Sequence, residues 1–237
     1  MQFYFQGEPL LCRDLPEMIR LAHDEGLYTI VSTNAQALTE ERANALVQAG
    51  LSRIIVSMDG LTQASYGAYR QGGDVKKVID ALRFLREAKT EHNSHITIEL
   101  QCLLLRSNEN EWSDFKRLYC SLGADTLTFK TAQFYNFENG NDLMPTSERY
   151  SRYKKQKDGT YRLKRSKRIC HRIFTGCVIS ADGKVLPCCF DKEKRYEFGQ
   201  MTLDSSFSTI WHSERANLIR RQVLHSKSLP ICTNCTG

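Results

Sequence analysis

Nine cysteines are many for a chain of 237 residues, and six of them, Cys170, Cys177, Cys188, Cys189, Cys232 and Cys235, crowd into its last third. Cys232-x2-Cys235 is a chelating pair, because two intervening residues let both sulfurs turn toward one metal. Asp182-Gly183 lies between two short apolar runs, Val178–Ser180 and Val185–Pro187, and predicts a hairpin. That hairpin sets Cys177 and Cys188 near its open end, with Cys170 just before it. With no secretory signal in the sequence, a disulfide framework is not expected, and clustered thiols in a reducing compartment point to metal. Four thiolates suit zinc and an iron–sulfur cluster alike. Cys12, Cys102 and Cys120 are scattered singly and read as small buried packing residues.

A second set of reactive types recurs at regular places: Gly7-Glu8-Pro9, Thr33-Asn34, Ser57-Met58-Asp59-Gly60, Asn108-Glu109 and Lys130. Taken singly, Asn34 reads as a turn residue and Asp59 as a helix cap. Each group, however, follows or ends a short apolar stretch. These stretches are Phe3–Phe5, Tyr28–Ser32, Arg53–Ser57, Ile96–Leu105 and Thr126–Lys130. Between them run segments of helical periodicity: Leu15–Glu25, Glu40–Ala49, Val75–Ala88 and Glu111–Leu122. Gly26, Gly50 and Gly123 stand where a left-handed helix cap is expected. Strands alternating with such helices predict βα units and a parallel sheet, and ligands of such sheets bind at the carboxyl ends of the strands. Five successive strand ends with polar groups therefore predict one shared small-molecule site.

Composition sets the bounds. Hydrophobic residues make up 41% and charged residues 25%, as in a soluble globular protein, and no apolar run is long enough to span a membrane. The net charge of +6 is concentrated between Arg149 and Arg172, where eleven Lys and Arg face one Asp. This stretch reads as a solvated linker, or as a surface that attracts an anionic substrate or acidic peptide. No nucleic-acid-binding motif accompanies the charge, so neither a nucleic-acid nor a membrane partner is expected.

The landmarks Gly7-Glu8-Pro9-Leu10-Leu11, Ser32-Thr33-Asn34-Ala35, Ser57-Met58-Asp59-Gly60 and Tyr69-Arg70-Gln71-Gly72-Gly73 resemble those of the radical S-adenosylmethionine (SAM) enzymes. Further on, several features resemble the SPASM or twitch extension of that family, which holds an auxiliary iron–sulfur cluster. They are Cys170, a Gly183 with four residues between it and Cys188, Gly199, the helix start at Phe207–Trp211 and the terminal Cys232-Thr233-Asn234-Cys235. The resemblance implies an α/β fold, a partial (β/α) barrel over residues 1–132. A basic linker at 133–168 and a small cysteine-rich hairpin-plus-helix domain at 169–237 would follow.

It also implies cofactor contacts. Gly7 lets a ligand approach the backbone, and Glu8 would meet the ammonium of the SAM methionine moiety. Asn34 lies on the same rim. Ser57 and Asp59 would bond the ribose hydroxyls, Arg70 would fork the methionine carboxylate, and Asn108 with Glu109 would line the adenine side. In single-cluster twitch domains the cysteine pattern matches Cys170, Cys188, Cys232 and Cys235. Cys177 resembles a further ligand of two-cluster SPASM domains. This context turns the metal expectation from zinc to [4Fe–4S].

The implied activity is one-electron cleavage of SAM to a 5′-deoxyadenosyl radical, which abstracts hydrogen from a peptide or small-molecule substrate. The implied setting is cytoplasmic, with an electron donor such as flavodoxin or ferredoxin. No residue of the chain stands out as catalytic. One departure is large. The family's Cys-x3-Cys-x2-Cys motif, which holds the SAM-binding [4Fe–4S] cluster, is absent from all 237 residues. It would lie upstream of Gly7, so the expectation is that Met1 is internal to a longer reading frame and that this chain alone does not cleave SAM. Phe3–Phe5 then reads as the strand before Gly-Glu-Pro rather than as a tag remnant. The competing expectation is a non-catalytic iron–sulfur or zinc protein for electron transfer or protein binding.

Overall fold

The computed structural model describes residues 1–164, 170–226 and 229–235. Residues 165–169 of the basic stretch, and Thr236 and Gly237 at the expected end of the cysteine-rich domain, lie outside the described residues. The chain divides into two compact units, Met1–Arg152 and Tyr153–Gly237.

The first unit is built on four parallel strands, β1 (Ile30–Thr33), β2 (Arg53–Ser57), β3 (Thr97–Leu104) and β4 (Thr126–Thr131), hydrogen-bonded in that order. A sequential order without reversal keeps every crossover helix on one face, as in a (β/α) barrel and unlike a doubly wound sheet. The helices are α1 (Leu15–Asp24), α2 (Glu40–Gln48), the short α3 (Gln63–Gly67), α4 (Val75–Glu91) and α5 (Trp112–Leu118). Thr39, Asp74 and Thr62 cap α2, α4 and α3 with side-chain oxygens, which accept from otherwise orphaned amides. Gly26, Gly50 and Gly123 have φ of +72°, +80° and +100°, the left-handed conformation expected of them.

One core joins these helices to one face of the sheet. Ile19, Leu46, Val78, Leu82 and Phe115 pack on Val31, Ile54, Val56, Ile98, Leu100 and Cys102. Cys102 is the buried packing residue it was expected to be. Cys12 and Cys120 are exposed instead; Cys12 follows the turn Pro9–Leu11 and engages through its carbonyl, which accepts from Arg42, rather than through its thiol.

The strand expected at Phe3–Phe5 is a single parallel bridge between Gln2 and Ile30, since residues 5–7 already bend toward the Pro9–Leu11 turn. The stretch expected as a linker at 133–168 is not one body. Phe134 and Met144 are buried in the first unit, whereas Tyr153–Lys155 (β5) and Tyr161–Leu163 (β6) pair as a hairpin in the second.

The second unit continues with α6 (Arg172–Thr175) and the antiparallel strands β7 (Val178–Ile179), β8 (Lys184–Leu186) and β9 (Gly199–Gln200). Gly183 turns the β7–β8 hairpin at φ +80°. The helix expected to start at Phe207–Trp211 is two, α7 (Phe207–Trp211) and α8 (Glu214–Ser226). Ser213 separates them because its hydroxyl accepts from the Ala216 amide and restarts the helix. Ile173, Val185, Phe198, Ile210, Ala216, Ile219 and Val223 form this unit's core. No helix among the described residues is long and apolar enough to cross a membrane.

Gly60 ends the β2 rim against the start of α3. A Cβ there would lie 2.2 Å from the Tyr66 amide nitrogen and 2.6 Å from the Ser65 carbonyl carbon, both backbone. Gly60→Ala is therefore expected to destabilise the protein by about 1–3 kcal/mol, read as a lowered urea midpoint; an unchanged midpoint contradicts this close packing.

Candidate functional site

The carboxyl ends of the strands carry the residues that the sequence singled out, and a hydrogen-bond net decides which remain available. Gly7 has φ +79°, and a Cβ on it would meet nothing within 4 Å, so glycine serves the turn while leaving open space beside it. Glu8 ties that turn to the end of β1: its carboxylate accepts from the Leu10 amide at 3.1 Å, the Thr33 hydroxyl at 2.5 Å and the Asn34 amide at 2.9 Å. Asn34 in turn accepts from the Gln36 amide, an Asx turn that aims the following loop. Gln36 then links the loop to the buried Tyr66 hydroxyl and to the backbone of Asp74. Burial raises the Tyr66 pKa, so this hydroxyl stays protonated.

Asp59 is sealed from solvent. One carboxylate oxygen accepts from the Leu103 amide at 2.7 Å and the other from Arg70 Nε at 2.6 Å. Its side chain thus fixes Arg70 instead of facing a ribose, because it is fully buried, whereas Glu8, though also hydrogen-bonded through both oxygens, stays partly exposed. Arg70 keeps its two terminal nitrogens without a hydrogen-bond partner among the described residues, a held fork suited to a carboxylate. Asn108 departs from its expected role in the same way. It is 1% exposed; its oxygen accepts from the Leu105 amide and Trp112 Nε1, and its nitrogen donates to the carbonyls of Asp59 and Leu103. No capacity is left for an adenine. Glu109 accepts from Thr146 and pins residues 141–146 to this rim.

Below the rim, the sheet face opposite the helices is polar. Ser57 pairs in register with Gln101, and Gln101 with Thr128, while Leu103 pairs with Lys130. Glu99 is buried beside Ile55 and forms an ion pair with Arg53. Gln101 Oε1 is buried without a partner. Gln101, Glu99 and Gln36 were not singled out from the sequence. The alternation Thr97, Glu99, Gln101 within an otherwise apolar strand was the available signal for the first two.

In the second unit three of the thiols share one core. Cys170, Cys177 and Cys232 pack against the same core, Cys188 follows β8, and Cys235 closes on Cys232 through a backbone bond of 3.3 Å. Burial pushes the Cys188 thiol up to about 12, while the backbone amides of Phe190 and Asp191 favour its thiolate and the nearby Cys189 and Cys235 oppose it. Among the described residues no three His, Cys, Asp or Glu side chains converge closely enough to hold a metal ion. The structure therefore brings Cys188 and Cys235 near each other and sets Cys170 and Cys232 on a shared core, without closing the four into a site. The donor chemistry fits a thiolate-bound cluster, since amides aimed at Cys188 stabilise the anionic ligand form.

Residues 3–116 match the family model described as the radical SAM superfamily, and residues 170–236 match the iron–sulfur cluster-binding domain called SPASM. The chain thus carries a radical SAM match followed by a SPASM match. Iron–sulfur clusters and SAM are the cofactors that these two domains carry. The PqqA peptide cyclase of Rhodopseudomonas palustris is 30% identical over 91% of this chain and 62% of its own length. That of Rhizobium meliloti is 27% identical over 89% of this chain and 60% of its own. The chain thus spans about three-fifths of the length of the curated relatives it matches. Among solved structures, anSMEcpe with bound AdoMet and the Kp18Cys peptide superposes with a TM-score of 0.62 at 16% identity, over all of this chain and 74% of that one. Streptococcus suis SuiB bound to S-adenosylmethionine gives 0.58 at 16% identity, over 98% and 60%. At such identities these likenesses show the fold: a radical SAM α/β sheet followed by a SPASM region.

The net around Asn108 yields a measurable outcome. Asn108→Ala strands two carbonyls and two N–H donors in the interior and is expected to lower stability by ~2 kcal/mol or more. A thermal melt unchanged from the parent protein refutes the structural assignment.

Proposed function

We propose that this chain contributes the SAM-contacting rim and the auxiliary cluster site of a radical SAM oxidoreductase that modifies a peptide. The observation that carries the reading is the rim itself, where Glu8 and the unpaired fork of Arg70 offer an anion and a cation suited to the amino and carboxylate groups of SAM. SAM, given one electron by a SAM-binding [4Fe–4S] cluster whose Cys-x3-Cys-x2-Cys motif is not present in these residues, would supply the radical that abstracts hydrogen. The chain's own part is positional. Glu8, held by Thr33 and Asn34, keeps a carboxylate on the rim for an ammonium. Arg70, clamped through Nε, presents the rest of its guanidinium without reorganising. Gly7 and Ser57 leave space and a hydroxyl beside them, and Asn34 shapes the loop, whereas Asp59 and Asn108 act from behind as positioning residues.

Cys170, Cys188, Cys232 and Cys235 are the proposed ligands of a [4Fe–4S] auxiliary cluster, which would take an electron from the substrate or anchor it. A peptide is favoured as substrate because the relatives named above are PqqA peptide cyclases. The excess of Lys and Arg at 149–172 favours an acidic one. We place the protein in the cytoplasm with a flavodoxin or ferredoxin as electron donor, since free thiols and a reducible cluster both require reducing surroundings.

Two measurements test this. Reconstituted anaerobically, the chain is expected to bind about four iron and four sulfide and to form no 5′-deoxyadenosine from SAM, because no Cys-x3-Cys-x2-Cys is present in it. 5′-Deoxyadenosine above a no-protein control overturns the second expectation; zinc without sulfide overturns the first and makes the site a structural zinc knuckle. Alanine at Cys170, Cys188, Cys232 or Cys235 should sharply reduce iron and sulfide, whereas Cys12→Ala should leave both unchanged. Loss of the cluster in Cys177→Ala with retention in Cys170→Ala would show the ligand set to be wrong.

A further inference from the structure

Arg220, on α8, is 6% exposed. Its guanidinium carbon lies 4.2 Å from the Trp211 ring centroid and 5.1 Å from that of Phe198. Nε donates to the Ile173 carbonyl at 3.3 Å, and Nη1 donates to the Trp211 carbonyl at 2.7 Å and to Asn217 Oδ1 at 3.1 Å. Nη2 is buried and has no partner. No carboxylate among the described residues pairs with this cation; the ionisable group it feels is the Cys177 thiol, which burial pushes up and Arg220 pulls back.

A buried charge is costly unless an opposite charge and hydrogen bonds meet it. Ring faces and carbonyls offset part of that cost, but none of them is an anion. The Ile173, Phe198 and Trp211 that hold the guanidinium belong to the same core as Cys170, Cys177 and Cys232. A cluster bound by four thiolates is net negative, and it is the anion this neighbourhood has the ligands to assemble.

We propose that Arg220 is the countercation of the auxiliary iron–sulfur cluster, with Nη2–H as the donor reserved for it. This rests on the reading of the second unit as a cluster-binding domain. Reduction adds negative charge to the cluster, and a fixed cation in a low-dielectric interior favours the reduced form more than the oxidised one. Arg220 therefore acts as a positioning residue that retains the cluster and raises its reduction potential. Lysine would keep the charge but not the planar fork that lies on both rings and reaches three carbonyl-type acceptors.

The test compares the full chain with Arg220→Met and Arg220→Lys, each melted before reconstitution and then loaded anaerobically with iron and sulfide. Before loading, the melt shows whether Arg220→Met folds: it loses an uncompensated buried cation and three hydrogen bonds together, so the deciding readouts follow loading. After loading, it should lose iron to a chelator about tenfold faster and show a more negative midpoint in an EPR-monitored redox titration. Arg220→Lys should fall between the two. A merely structural anchor leaves the chelation rate and midpoint unchanged, and that result overturns the proposal. Should Arg220→Met fail to fold, Arg220→Gln, which removes the charge and keeps a donor, decides alone: an unchanged midpoint and chelation rate refute the countercation. A parent chain that takes up neither iron nor sulfide brings down the cluster-domain reading itself, and the countercation with it; a loaded parent with indifferent variants brings down the countercation alone.

Discussion

A carboxylate closed off from water must be met by donors, and at Asp59 that requirement organises the rim of the parallel sheet. Its oxygens take the Leu103 amide at the end of β3 and Arg70 Nε from the α3–α4 connection, while its carbonyl takes the Asn108 side chain from the turn Arg106–Asn108. Two stretches, around Arg70 and over Leu103–Asn108, are thereby drawn to the end of β2. Breaking such a buried pair from one side costs about 3–5 kcal/mol, more than any exposed ion pair on this unit can contribute. The exposed pairs of Arg83 with Asp80 and Glu87 can vary without moving the rim; the Asp59 clamp cannot.

Charge is buried in the second unit too, but with the opposite outcome. Asp59 finds its countercharge within the chain, so its local geometry is closed and its function is to hold Arg70. Arg220 has aromatic faces and carbonyls around it and an unpaired nitrogen, so its local geometry is open. A complete set of partners marks a scaffold, and an incomplete set in a packed interior marks a place where something else belongs. The same criterion separates Asn108, all of whose hydrogen-bonding groups are used, from Arg70, of whose five N–H donors one is used.

Local rules made much of the fold legible. β2 runs from Arg53 to Ser57 as its β-branched run indicates, and Gly26, Gly50 and Gly123 take the left-handed conformation that helix ends demand. Where the reading failed, a contact from elsewhere in the chain decided the matter. Ser213 divides the expected helix because its hydroxyl captures an amide three residues on, a competition that apolar periodicity does not report. Asp59 and Asn108 carry residue types that a binding site would use, and nothing in their immediate sequence shows that Leu103, Trp112 and Arg70 already occupy them. Arg220 looks like one more charge on a basic helix. Its importance emerges only once Trp211 and Phe198 are known to lie beneath it.

The sheet's two faces then explain why the first unit can serve as a cofactor platform. The interior of a closed (β/α) barrel is ordinarily filled by layers of branched apolar side chains. Here most apolar residues of β2 and β3 are committed to the helix side, through Ile54, Val56, Ile98 and Leu100, with Ile55 and Leu103 on the other. The other side carries Ser57, Glu99, Gln101 and Thr128, with only part of their hydrogen-bonding capacity met: Glu99 has Arg53, whereas the Gln101 carbonyl oxygen has nothing. Such a face is a poor packing surface, because an unmet buried acceptor costs about 1–3 kcal/mol. It is a good surface for a ligand rich in hydroxyl, amine and carboxylate groups. The polar row therefore works against an apolar filling of the sheet's interior and leaves the rim residues Glu8, Asn34 and Arg70 above a surface that a polar ligand can satisfy.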